Sequence, residues 1–338
     1  MINVLIDMPV HDSLLNSLNS LPGIRTQIIK TPAEELRSLP VEQIMNCEVL
    51  FCTTPPVNHA CMLKLKMIQI SSAGYTQLVG QNFEERGIRA CNALGVFDVP
   101  IAEWNIAMMI NLMRNMRSLM HNQDSQIWDR SPCFQRELRG AVVGIWGYGG
   151  IGRETARLAK SLGMKVHVLC RSEIKQRTNF YSVEGTGDIE GKLPDRIFLM
   201  DKKKEFLEGL DFLIMAIPHT NSTEGIVGEA ELRMLPPQAF LLNPARGLLI
   251  QEQPLLNALQ KGWIAGAALD THYHYPMPAN HPLWAMPNVI MTPHISGSSA
   301  GTRFLDRVWD IFIQNVKKLQ NSETLLNELT FAQLSGRA

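Results

Sequence analysis

Short apolar runs alternate with amphipathic segments along the N-terminal part of the chain. Apolar runs bounded by Gly, Pro and polar clusters are typical of buried strands, and apolar residues three or four apart are typical of helices. Their alternation predicts βα units and a parallel sheet. The predicted strands are Val4–Ile6, Val49–Cys52, Met67–Ile70 and Ile88–Ala90, and the predicted helical segments are Leu14–Leu21 and Cys61–Leu65.

A long helix over Pro100–Met120 is predicted next, with Asp98 in its N-cap region. A second alternating series begins at Ala141, and a last amphipathic helix is predicted over Gly301–Leu319. The polar, Gly-containing stretch Thr178–Asp195 is predicted to be a long loop. The strands of the second series are Ala141–Trp146, Lys165–Cys170, Ile197–Met200, Phe212–Ile217, Ala239–Asn243, Ala265–Asp270 and Val289–Thr292. The pattern predicts an α/β protein of two doubly wound parallel-sheet domains, Rossmann-like or flavodoxin-like, with a cleft between them.

Length and charge narrow the class of protein. The 338 residues predict about two domains of roughly 100–200 residues each. The 32 Lys and Arg balance 32 Asp and Glu, so a nucleic-acid partner, which requires excess positive charge, is disfavoured. No apolar stretch approaches the ~20 residues of a membrane span, and the first residues read as a strand rather than as a basic, cleavable signal. We therefore expect neither a nucleic-acid partner nor a membrane partner.

Cysteine usage favours a cytoplasmic protein. The six cysteines are Cys47, Cys52, Cys61, Cys91, Cys133 and Cys170. No pair has Cys-x-x-Cys spacing, and none of them clusters with histidines. Because an even number alone does not imply disulfides in a chain of this length, we expect reduced and mostly buried thiols.

A glycine-rich turn lies between the first strand of the second series and the helix predicted over Arg153–Leu162. Its residues are Gly147, Tyr148, Gly149, Gly150, Ile151 and Gly152, which match G-x-G-x-x-G. This strand–turn–helix context is the one in which the pattern binds a dinucleotide. Gly147 makes the tight turn, Gly149 lets the backbone approach a pyrophosphate, and Gly152 lets the helix pack against the strand. The alternative is a glycine-rich turn that binds no ligand.

The end of the next strand bears on the choice of cofactor. A site for NAD usually places Asp or Glu there to bind the ribose 2′-hydroxyl, whereas this chain has Arg171 and Ser172. Both side chains are suited to a 2′-phosphate, with Lys175 and Arg177 as additional cations. We therefore expect NADP(H) to be preferred and NAD(H) to be possible. The alternative is that Arg171 is a surface residue and the neighbouring Glu173 binds the ribose.

Three segments place titratable residues at predicted strand ends, which is where open α/β sheets bind ligands. They are Asn243–Gly247, Gly266–Asp270 and Thr292–Gly297. Together with Ser72–Tyr75, Asn92–Gly95, Ile101–Glu103 and Pro218–Thr220, they occur in one order along nearly the whole chain. In these motifs the chain resembles the D-isomer-specific 2-hydroxyacid dehydrogenases.

The resemblance implies roles for several of these residues. Arg246 binds the substrate carboxylate and polarises the keto oxygen, which suits its planar fork of donors. His294 is the general acid in keto reduction and the base in the reverse direction. The backbone amides of Ala73 and Gly74 bind the carboxylate from the other domain, and Asp270 accepts from the nicotinamide carboxamide. Further cofactor contacts are expected at Pro218, Ala245 and Gly297.

The resemblance also implies a domain order and an assembly. Residues 1–98 and 296–338 form a discontinuous substrate-binding domain, and residues 99–295 form the NAD(P)-binding domain. Members of the family are usually dimers through the cofactor domain, so we expect a homodimer, with Trp128 at the interface between subunits. The expected substrate is a small 2-keto or 2-hydroxy acid, as in a glyoxylate/hydroxypyruvate reductase. Its side-chain pocket has candidate residues at Cys52–Thr54, Tyr75, Trp284 and Tyr273–Tyr275.

One position departs from the family pattern. The family usually has a glutamate five residues after the Asp270 position, and it raises the pKa of the catalytic histidine and orients its ring. This chain has Tyr275 there, followed by Pro276-Met277-Pro278, which resembles the loop of the formate dehydrogenase branch. Either the Tyr275 hydroxyl or a neighbouring histidine holds His294, or His294 has no partner. We expect keto reduction to have its pH–rate profile at lower pH than in the relatives that contain the glutamate.

Alternative interpretations concern metal binding and function. His272, His274 and His281 suggest a metal site, but no Cys or acidic ligand accompanies them at zinc-site spacing, so loop histidines are the preferred interpretation. The preferred function is that of an NADP(H)-dependent 2-ketoacid reductase. One alternative is oxidation of a small anion such as formate. The other is a dinucleotide-sensing regulatory protein on the same fold, against which the presence of Arg246 and His294 argues.

Overall fold

The computed structural model describes residues 1–29, 36–131 and 136–336. The chain divides into two compact units, and the chain enters the first of them three times. Unit 1 comprises the described residues of Met1–Phe97, Thr178–Val183 and Ser299–Ala338, and unit 2 those of Asp98–Arg177 and Glu184–Ser298. The unit boundaries lie within a few residues of those expected, apart from Thr178–Val183, which belongs to unit 1. The substrate-binding and cofactor-binding roles of the two domains stay predictions.

Unit 1 contains a five-stranded parallel sheet in the order β2-β1-β3-β4-β5. Its strands are β1 (Ile2–Asp7), β2 (Ile24–Ile28), β3 (Val49–Cys52), β4 (Met67–Ile70) and β5 (Arg89–Cys91). This is the flavodoxin-like order of the doubly wound folds. The central strands β3 and β4 are buried at every position, because helices and loops cover both faces of a parallel sheet.

The sequence pattern did not predict β2. Only Ile24 and Thr26 of this strand are half-buried, and Arg25, Gln27 and Ile28 are exposed. An edge strand pairs on one side only and faces solvent along the other, so it lacks the apolar run by which buried strands are detected.

Unit 2 contains a seven-stranded parallel sheet in the order β12-β11-β10-β9-β6-β7-β8. Its strands are β6 (Val142–Trp146), β7 (Lys165–Cys170), β8 (Arg196–Leu199), β9 (Phe212–Met215), β10 (Phe240–Asn243), β11 (Gly266–Leu269) and β12 (Val289–Met291). The order reverses between β6 and β9, which makes this pair the topological switch point of a Rossmann sheet. The predicted fold class, two doubly wound parallel-sheet domains, is confirmed.

Ten α-helices occur in the described part of the chain. They are α1 (Asp12–Asn19), α2 (Val41–Ile44), α3 (Asp98–Met113), α4 (Met116–Asp124), α5 (Gly150–Ser161), α6 (Lys203–Leu207), α7 (Glu229–Met234), α8 (Glu252–Gln260), α9 (Thr302–Gln320) and α10 (Phe331–Leu334). The one long helix predicted over Pro100–Met120 is wrong, since Asn115 takes a left-handed conformation (φ 47°) between α3 and α4. Asparagine adopts this conformation more readily than most residues, and the apolar periodicity that continues past it gave no sign of the break.

A second segment also differs from its prediction. Cys61–Leu65 was predicted to be helical, but it follows a single 3-10 turn at His59–Cys61. Met62 and Leu65 are buried while Leu63 is exposed, so the apolar spacing arises from a packed turn and not from a helix. Thr178–Asp195 contains neither helix nor strand, as predicted.

The cysteines that the structure describes are free thiols. Cys47, Cys52 and Cys91 are buried free thiols, and Cys61 and Cys170 are half-buried free thiols. Cys133 lies outside the described residues. Within the described ranges, no helix is both long enough and apolar enough to cross a membrane.

Candidate active site

The glycine-rich turn lies at the switch point of the unit 2 sheet, between the end of β6 and the start of α5. Gly147 has φ 100°, and a Cβ there would meet the Ala216 carbonyl oxygen at 2.5 Å. A Cβ on Gly152 would lie 2.5 Å from the Gly147 carbonyl oxygen. Only glycine therefore fits either position without a shift of the backbone.

Gly149 differs from these two glycines. A Cβ built on it would have no neighbour within 4 Å, so the backbone before α5 is open to a ligand. Helix N-termini present unpaired amides and a partial positive charge, which suit a phosphate group. The residues of this turn thus fit the pyrophosphate of a dinucleotide.

At the end of β7, Arg171, Ser172 and Glu173 are all exposed to solvent. The chain then runs through a long segment, residues 172–195, before it enters β8. All three side chains can therefore meet a ligand that extends from the glycine-rich turn toward β7. The choice between a 2′-phosphate on Arg171 and a ribose on Glu173 stays a prediction.

The parts of this segment that belong to unit 2, residues 172–177 and 184–195, are fastened to α5 by Arg153, the residue directly after the last motif glycine. Arg153 is 4% exposed, and its Nη2 donates to the Lys175 carbonyl oxygen at 2.6 Å. Its Nη1 donates to the carbonyl oxygens of Asp188 and Ile189, and its Nε donates to that of Tyr148. A buried guanidinium with several carbonyl acceptors fixes the backbone on which Arg177 lies.

Two further buried groups hold the same segment. The Tyr148 hydroxyl donates to Asp188 Oδ2 at 2.7 Å, and the Asp188 carboxylate also accepts the amides of Gly191, Lys192 and Leu193. Glu154 accepts the Gly187 amide at 2.5 Å. These hydrogen bonds lower the pKa of Asp188 against the opposing effect of its burial, so Asp188 is a carboxylate at neutral pH.

Arg246 follows β10 in a turn that Asn243 shapes. The buried Asn243 donates from Nδ2 to the Arg246 carbonyl oxygen at 2.8 Å and accepts from the Ala245 amide at 3.1 Å. Gly247 closes the turn, since a Cβ there would lie 2.5 Å from the backbone of His272. The Arg246 side chain is exposed, so its guanidinium is available to an anion.

The loop that carries His294 is tied to one buried carboxylate, Asp270. Asp270 is 0% exposed, and it accepts from the Thr292 hydroxyl at 2.5 Å and from the amides of Ile295 and Ser296 at 2.9 and 3.0 Å. The His294 amide donates to the Asp270 carbonyl oxygen at 2.8 Å. These contacts hold His294 in a left-handed conformation (φ 59°), which costs a non-glycine residue on the order of 1–3 kcal/mol.

His294 has the Tyr275 hydroxyl as its ring partner. Tyr275 Oη lies 3.1 Å from His294 Nδ1, and it also accepts the His272 amide at 3.2 Å. With neutral imidazole, the hydroxyl donates to Nδ1, and the ring proton is then on Nε2. With imidazolium, Nδ1–H donates to the remaining lone pair of Oη. Tyr275 therefore occupies the position expected of the glutamate and contacts the same imidazole, but it carries no charge in its ordinary neutral form.

The surroundings of His294 favour the neutral ring. Burial and the positive charge of Arg246 lower the pKa of His294 below its ordinary value of 6.5, and the Asp270 carboxylate acts in the opposite direction. Arg246 and His294 follow β10 and β12, two strands of the same parallel sheet. A titratable imidazole and a guanidinium thus share one edge of the unit 2 sheet, beyond the ends of β10 and β12.

Two of the three histidines that suggested a metal have other hydrogen-bond partners. His272 is buried, and its Nε2 lies 2.8 Å from the Thr292 carbonyl oxygen. His281 Nε2 lies 2.6 Å from Glu252, and the His274 and His281 ring centroids are 6.4 Å apart. In the described ranges, no three His, Cys, Asp or Glu side chains form a group that could hold a metal ion.

The Ser72–Gly74 loop of unit 1 follows β4 and is held by its own neighbours. Asn92 donates to the Ala73 carbonyl oxygen at 2.7 Å, and the Ser72 hydroxyl donates to the Gly74 carbonyl oxygen at 2.7 Å. The Ser72 carbonyl oxygen accepts from the Ala93 amide at 2.9 Å. The carbonyl groups of Ser72 and Ala73 share peptide planes with the Ala73 and Gly74 amides, so both planes are fixed. The role of the Ala73 and Gly74 amides in substrate binding stays a prediction.

The remaining predicted positions differ in exposure. Pro218 is exposed, while Ala245 and Gly297 are half-buried. Trp284 is half exposed, and Trp128 is 89% exposed. Sequence reasoning missed Arg153 and Asp188, and it left Asp98 as a helix cap although Asp98 is a buried carboxylate in the first turn of α3. The one available signal for Arg153 was its place directly after the last motif glycine, where the dinucleotide motif gives a charged residue no role.

Comparisons with known proteins agree with this geometry. Residues 106–296 match the family described as D-isomer specific 2-hydroxyacid dehydrogenase, NAD binding domain. A glyoxylate reductase of Thermofilum pendens is 30% identical over 243 residues, which cover 71% of this chain and 68% of the relative. A glyoxylate reductase of Korarchaeum cryptofilum is 27% identical over 302 residues, or 87% of this chain and 86% of the relative.

A solved structure extends the likeness to the whole fold. It is that of a D-isomer specific 2-hydroxyacid dehydrogenase family protein from Aeromonas salmonicida, with a TM-score of 0.78 and 25% identity. The match covers 98% of this chain and 99% of that one. The family expected from the motifs is confirmed. This chain belongs to the D-isomer specific 2-hydroxyacid dehydrogenase family and is an NAD(P)-dependent oxidoreductase.

Proposed function

We propose that the protein is an NADP(H)-dependent reductase of small 2-keto acids, which also oxidises the corresponding D-2-hydroxy acids. The observation that carries the proposal is the pairing of His294 with Tyr275 beside the cation Arg246, at the ligand-binding edge of the dinucleotide sheet. An acid–base group and an anion-binding group are the two side-chain functions that reduction of a 2-keto acid requires.

The chain's own residues supply charge and a proton. Reduced nicotinamide, when bound, supplies the hydride. Arg246 binds the substrate carboxylate and draws electron density toward the keto oxygen. Protonated His294 gives its Nε2 proton to the keto oxygen as negative charge develops there, and Tyr275 accepts from Nδ1 during this transfer. In the reverse direction, neutral His294 takes the hydroxyl proton at Nε2.

The partner of His294 determines how the reaction depends on pH. Keto reduction requires the protonated ring, and the pKa of His294 lies below 6.5 because of burial and Arg246. Reduction therefore loses rate as pH rises through this lowered pKa, whereas oxidation gains rate over the same range. A carboxylate partner stabilises imidazolium more strongly than a neutral hydroxyl does, so relatives with glutamate keep the protonated ring to higher pH.

The preference for NADP(H) rests on Arg171 and Ser172. A guanidinium and a hydroxyl at the end of β7 are suited to the three oxygens of a 2′-phosphate. The substrate class rests on Arg246, which accommodates one carboxylate, and on the two glyoxylate reductases to which the chain is similar. We propose glyoxylate and hydroxypyruvate as the first substrates to test.

The decisive experiment mixes the purified protein with NADPH and a panel of glyoxylate, hydroxypyruvate and pyruvate, and follows the absorbance of the reduced nicotinamide. We expect NADPH oxidation that depends on the keto acid, with the D-hydroxy acid as product where the product is chiral. Tight NADPH binding without turnover would favour the sensing protein instead. Reduction of NAD⁺ with formate would favour the formate dehydrogenase-like alternative.

We also propose a homodimer that functions in the cytoplasm. Exposed apolar side chains cluster in unit 2 around α4 and the segment after it, at Leu119, Met120, Ile127 and Trp128. Apolar surface of this kind marks protein–protein contacts. Sedimentation equilibrium of the full chain tests the assembly, and the double change Ile127→Ser with Trp128→Ser is expected to shift it toward monomer.

A further inference from the structure

Two charged side chains fill the space that a side chain on Gly150 would take. Gly150 is the first residue of α5 and lies directly after the open Gly149. A Cβ on it would meet the Asp98 carboxylate and would lie 2.6 Å from Nη1 of Arg177. Arg177 Nη1 and Asp98 Oδ2 are 3.6 Å apart, and their side chains are only 15% and 12% exposed. Both groups thus lie against the first turn of the helix that faces the pyrophosphate position.

Electrostatics explains why Arg177 and Asp98 lie together at the N-terminus of α5. The N-terminus of a helix carries a partial positive charge, so a guanidinium beside it is unfavourable unless an anion lies between or next to them. Here the chain's own Asp98 is that anion. The N-terminal amides of α5 and the Arg177 guanidinium together form an anion-binding site. The Asp98 carboxylate of the same unit lies at this site.

Arg177 is held in this place by its backbone. Its amide donates to the Ile189 carbonyl oxygen at 3.0 Å. Two residues before it, the Lys175 carbonyl oxygen accepts from the buried Arg153. Arg153 also binds the carbonyl oxygens of Asp188 and Ile189, so the stretch with Arg177 is tied on both sides to the start of α5. The guanidinium is therefore preorganised, which reduces the entropy lost when it binds a ligand.

We propose that Arg177 binds the pyrophosphate of the dinucleotide, and that this phosphate takes the place of the Asp98 carboxylate at the guanidinium. The inference rests on the proposed use of a dinucleotide and assigns a different role from that of Arg171. Arg171 reads the 2′-phosphate and thus separates NADP(H) from NAD(H), whereas Arg177 contacts a group that both cofactors share. Asp98 is a competitor whose negative charge weakens both cofactors.

The test measures dissociation constants of NADPH and NADH for the full chain, by fluorescence titration at fixed ionic strength. Arg177→Gln is expected to weaken both cofactors by the same factor, about tenfold or more, since a hydrogen bond to a charged group is lost. Arg171→Gln is expected to weaken NADPH alone. Arg114→Gln, which removes one exposed charge from the same unit, is the matched control and leaves both constants unchanged.

A second variant separates a binding role from a folding defect. Asp98→Asn is expected to tighten both cofactors by about threefold or more, because it removes the competing charge while it keeps the shape. A damaged fold does not produce a gain of affinity for both ligands. ADP-ribose, which has the pyrophosphate but no nicotinamide, is expected to follow the same changes.

Each outcome decides between named alternatives. A loss confined to NADPH in Arg177→Gln would assign Arg177 to the 2′-phosphate and overturn the inference, as would unchanged binding of both cofactors. Weaker binding in Asp98→Asn would overturn the exchange at the guanidinium. If the unsubstituted protein binds neither cofactor, the proposed function fails, and that result is distinct from any effect of Arg177.

Discussion

Two loops at the ligand-binding edge of unit 2 are each fastened by one buried charge of opposite sign. The His294 loop is tied to Asp270, a carboxylate that accepts one hydroxyl and two amides. The segment after β7 is tied to Arg153, a guanidinium whose donors reach four carbonyl oxygens. In both cases the buried charge is matched by several backbone partners, which is the condition under which burial is tolerated.

The difference lies in what each loop presents. The Asp270-bound loop presents an imidazole whose proton takes part in the reaction, whereas the Arg153-bound segment presents Arg177 and its cationic neighbours to the cofactor. Loss of the imidazole that the first loop presents should lower turnover and leave cofactor binding intact. Damage to the second should weaken cofactor binding and leave turnover at saturating cofactor nearly intact.

Replacement of the imidazole itself should produce the largest effect. His294→Asn is expected to lower the rate of keto reduction by roughly 10²–10⁴-fold, the usual contribution of a general acid. The NADPH dissociation constant should stay the same, since His294 is assigned to the keto oxygen. Steady-state rates and fluorescence titration on the same preparation check both values. Equal loss of turnover and of NADPH binding would place His294 in the cofactor site instead.

Removal of the anion-binding side chain comes next. Arg246→Gln should lower kcat/KM for glyoxylate by about 100-fold, because a charge-assisted hydrogen bond is worth ~1.5–3 kcal/mol. The same change removes the positive charge beside His294, so the pKa of His294 should rise and the descending limb of the pH profile for reduction should move to higher pH. A lower kcat/KM with no movement of the profile would contradict the electrostatic part of this expectation.

Replacement of Arg153, the buried arginine of α5 that fastens the second loop, is expected to have a smaller effect on the reaction rate and a larger effect on stability. Arg153→Met leaves carbonyl groups of the segment without a donor, at a cost of about 2–3 kcal/mol in the free energy of unfolding. NADPH and NADH should both bind more weakly, while kcat at saturating NADPH changes little. Denaturant titration and cofactor titration measure the two effects.

A neighbouring cation of the same helix is the control for this change. Lys160→Met removes a partly exposed lysine, which pairs with the partly exposed Asp195. Pairs at the surface are worth about 0–1 kcal/mol, so this variant should lose less stability than Arg153→Met. An equal loss in the free energy of unfolding in both variants would show that Arg153 does not hold the segment more strongly than an ordinary surface cation does.

The smallest effect is expected from the hydroxyl groups. Tyr275→Phe removes the partner of His294 Nδ1 and the acceptor for the His272 amide, each worth about 1 kcal/mol. We expect roughly a fivefold lower kcat, with NADPH binding unchanged. Ser172→Ala, at the other loop, should weaken NADPH a few-fold and leave NADH unchanged. Weaker NADPH binding with unchanged kcat in Tyr275→Phe, or a lower kcat with unchanged NADPH binding in Ser172→Ala, would contradict the roles assigned to the two loops.

The same comparison shows what the sequence could and could not predict. The glycine-rich turn, Asp270 and His294 were predictable because a strand end, a tight turn and a close backbone approach each restrict the residue type. The strand β2 was missed because an edge strand need not be apolar, and the break at Asn115 because a single left-handed residue does not disturb the apolar spacing. Local sequence patterns indicate burial and turns. The edge strand β2 and the break at Asn115 depend instead on the neighbouring parts of the structure.

The candidate site shows the same division. The absence of a glutamate was visible from Tyr275, but the 3.1 Å contact with His294 required the loop geometry. Arg153 and Asp98 were passed over because charged residues at the start of a helix are ordinarily solvated or capping groups. Their partners lie far along the chain, since Arg153 bonds to Asp188, 35 residues later, and Asp98 pairs with Arg177. Long-range contacts of this kind leave no periodic signal.

The central claim is that a neutral hydroxyl, and not a carboxylate, holds an acid–base histidine whose pKa is lowered. Its most direct test is the pH dependence of kcat/KM for glyoxylate reduction in the unsubstituted protein and in Tyr275→Glu. We predict a descending limb with its midpoint below 6.5 in the unsubstituted protein, and a shift to higher pH by about one unit or more in Tyr275→Glu. A midpoint above 6.5, or the same midpoint in both proteins, would contradict the account.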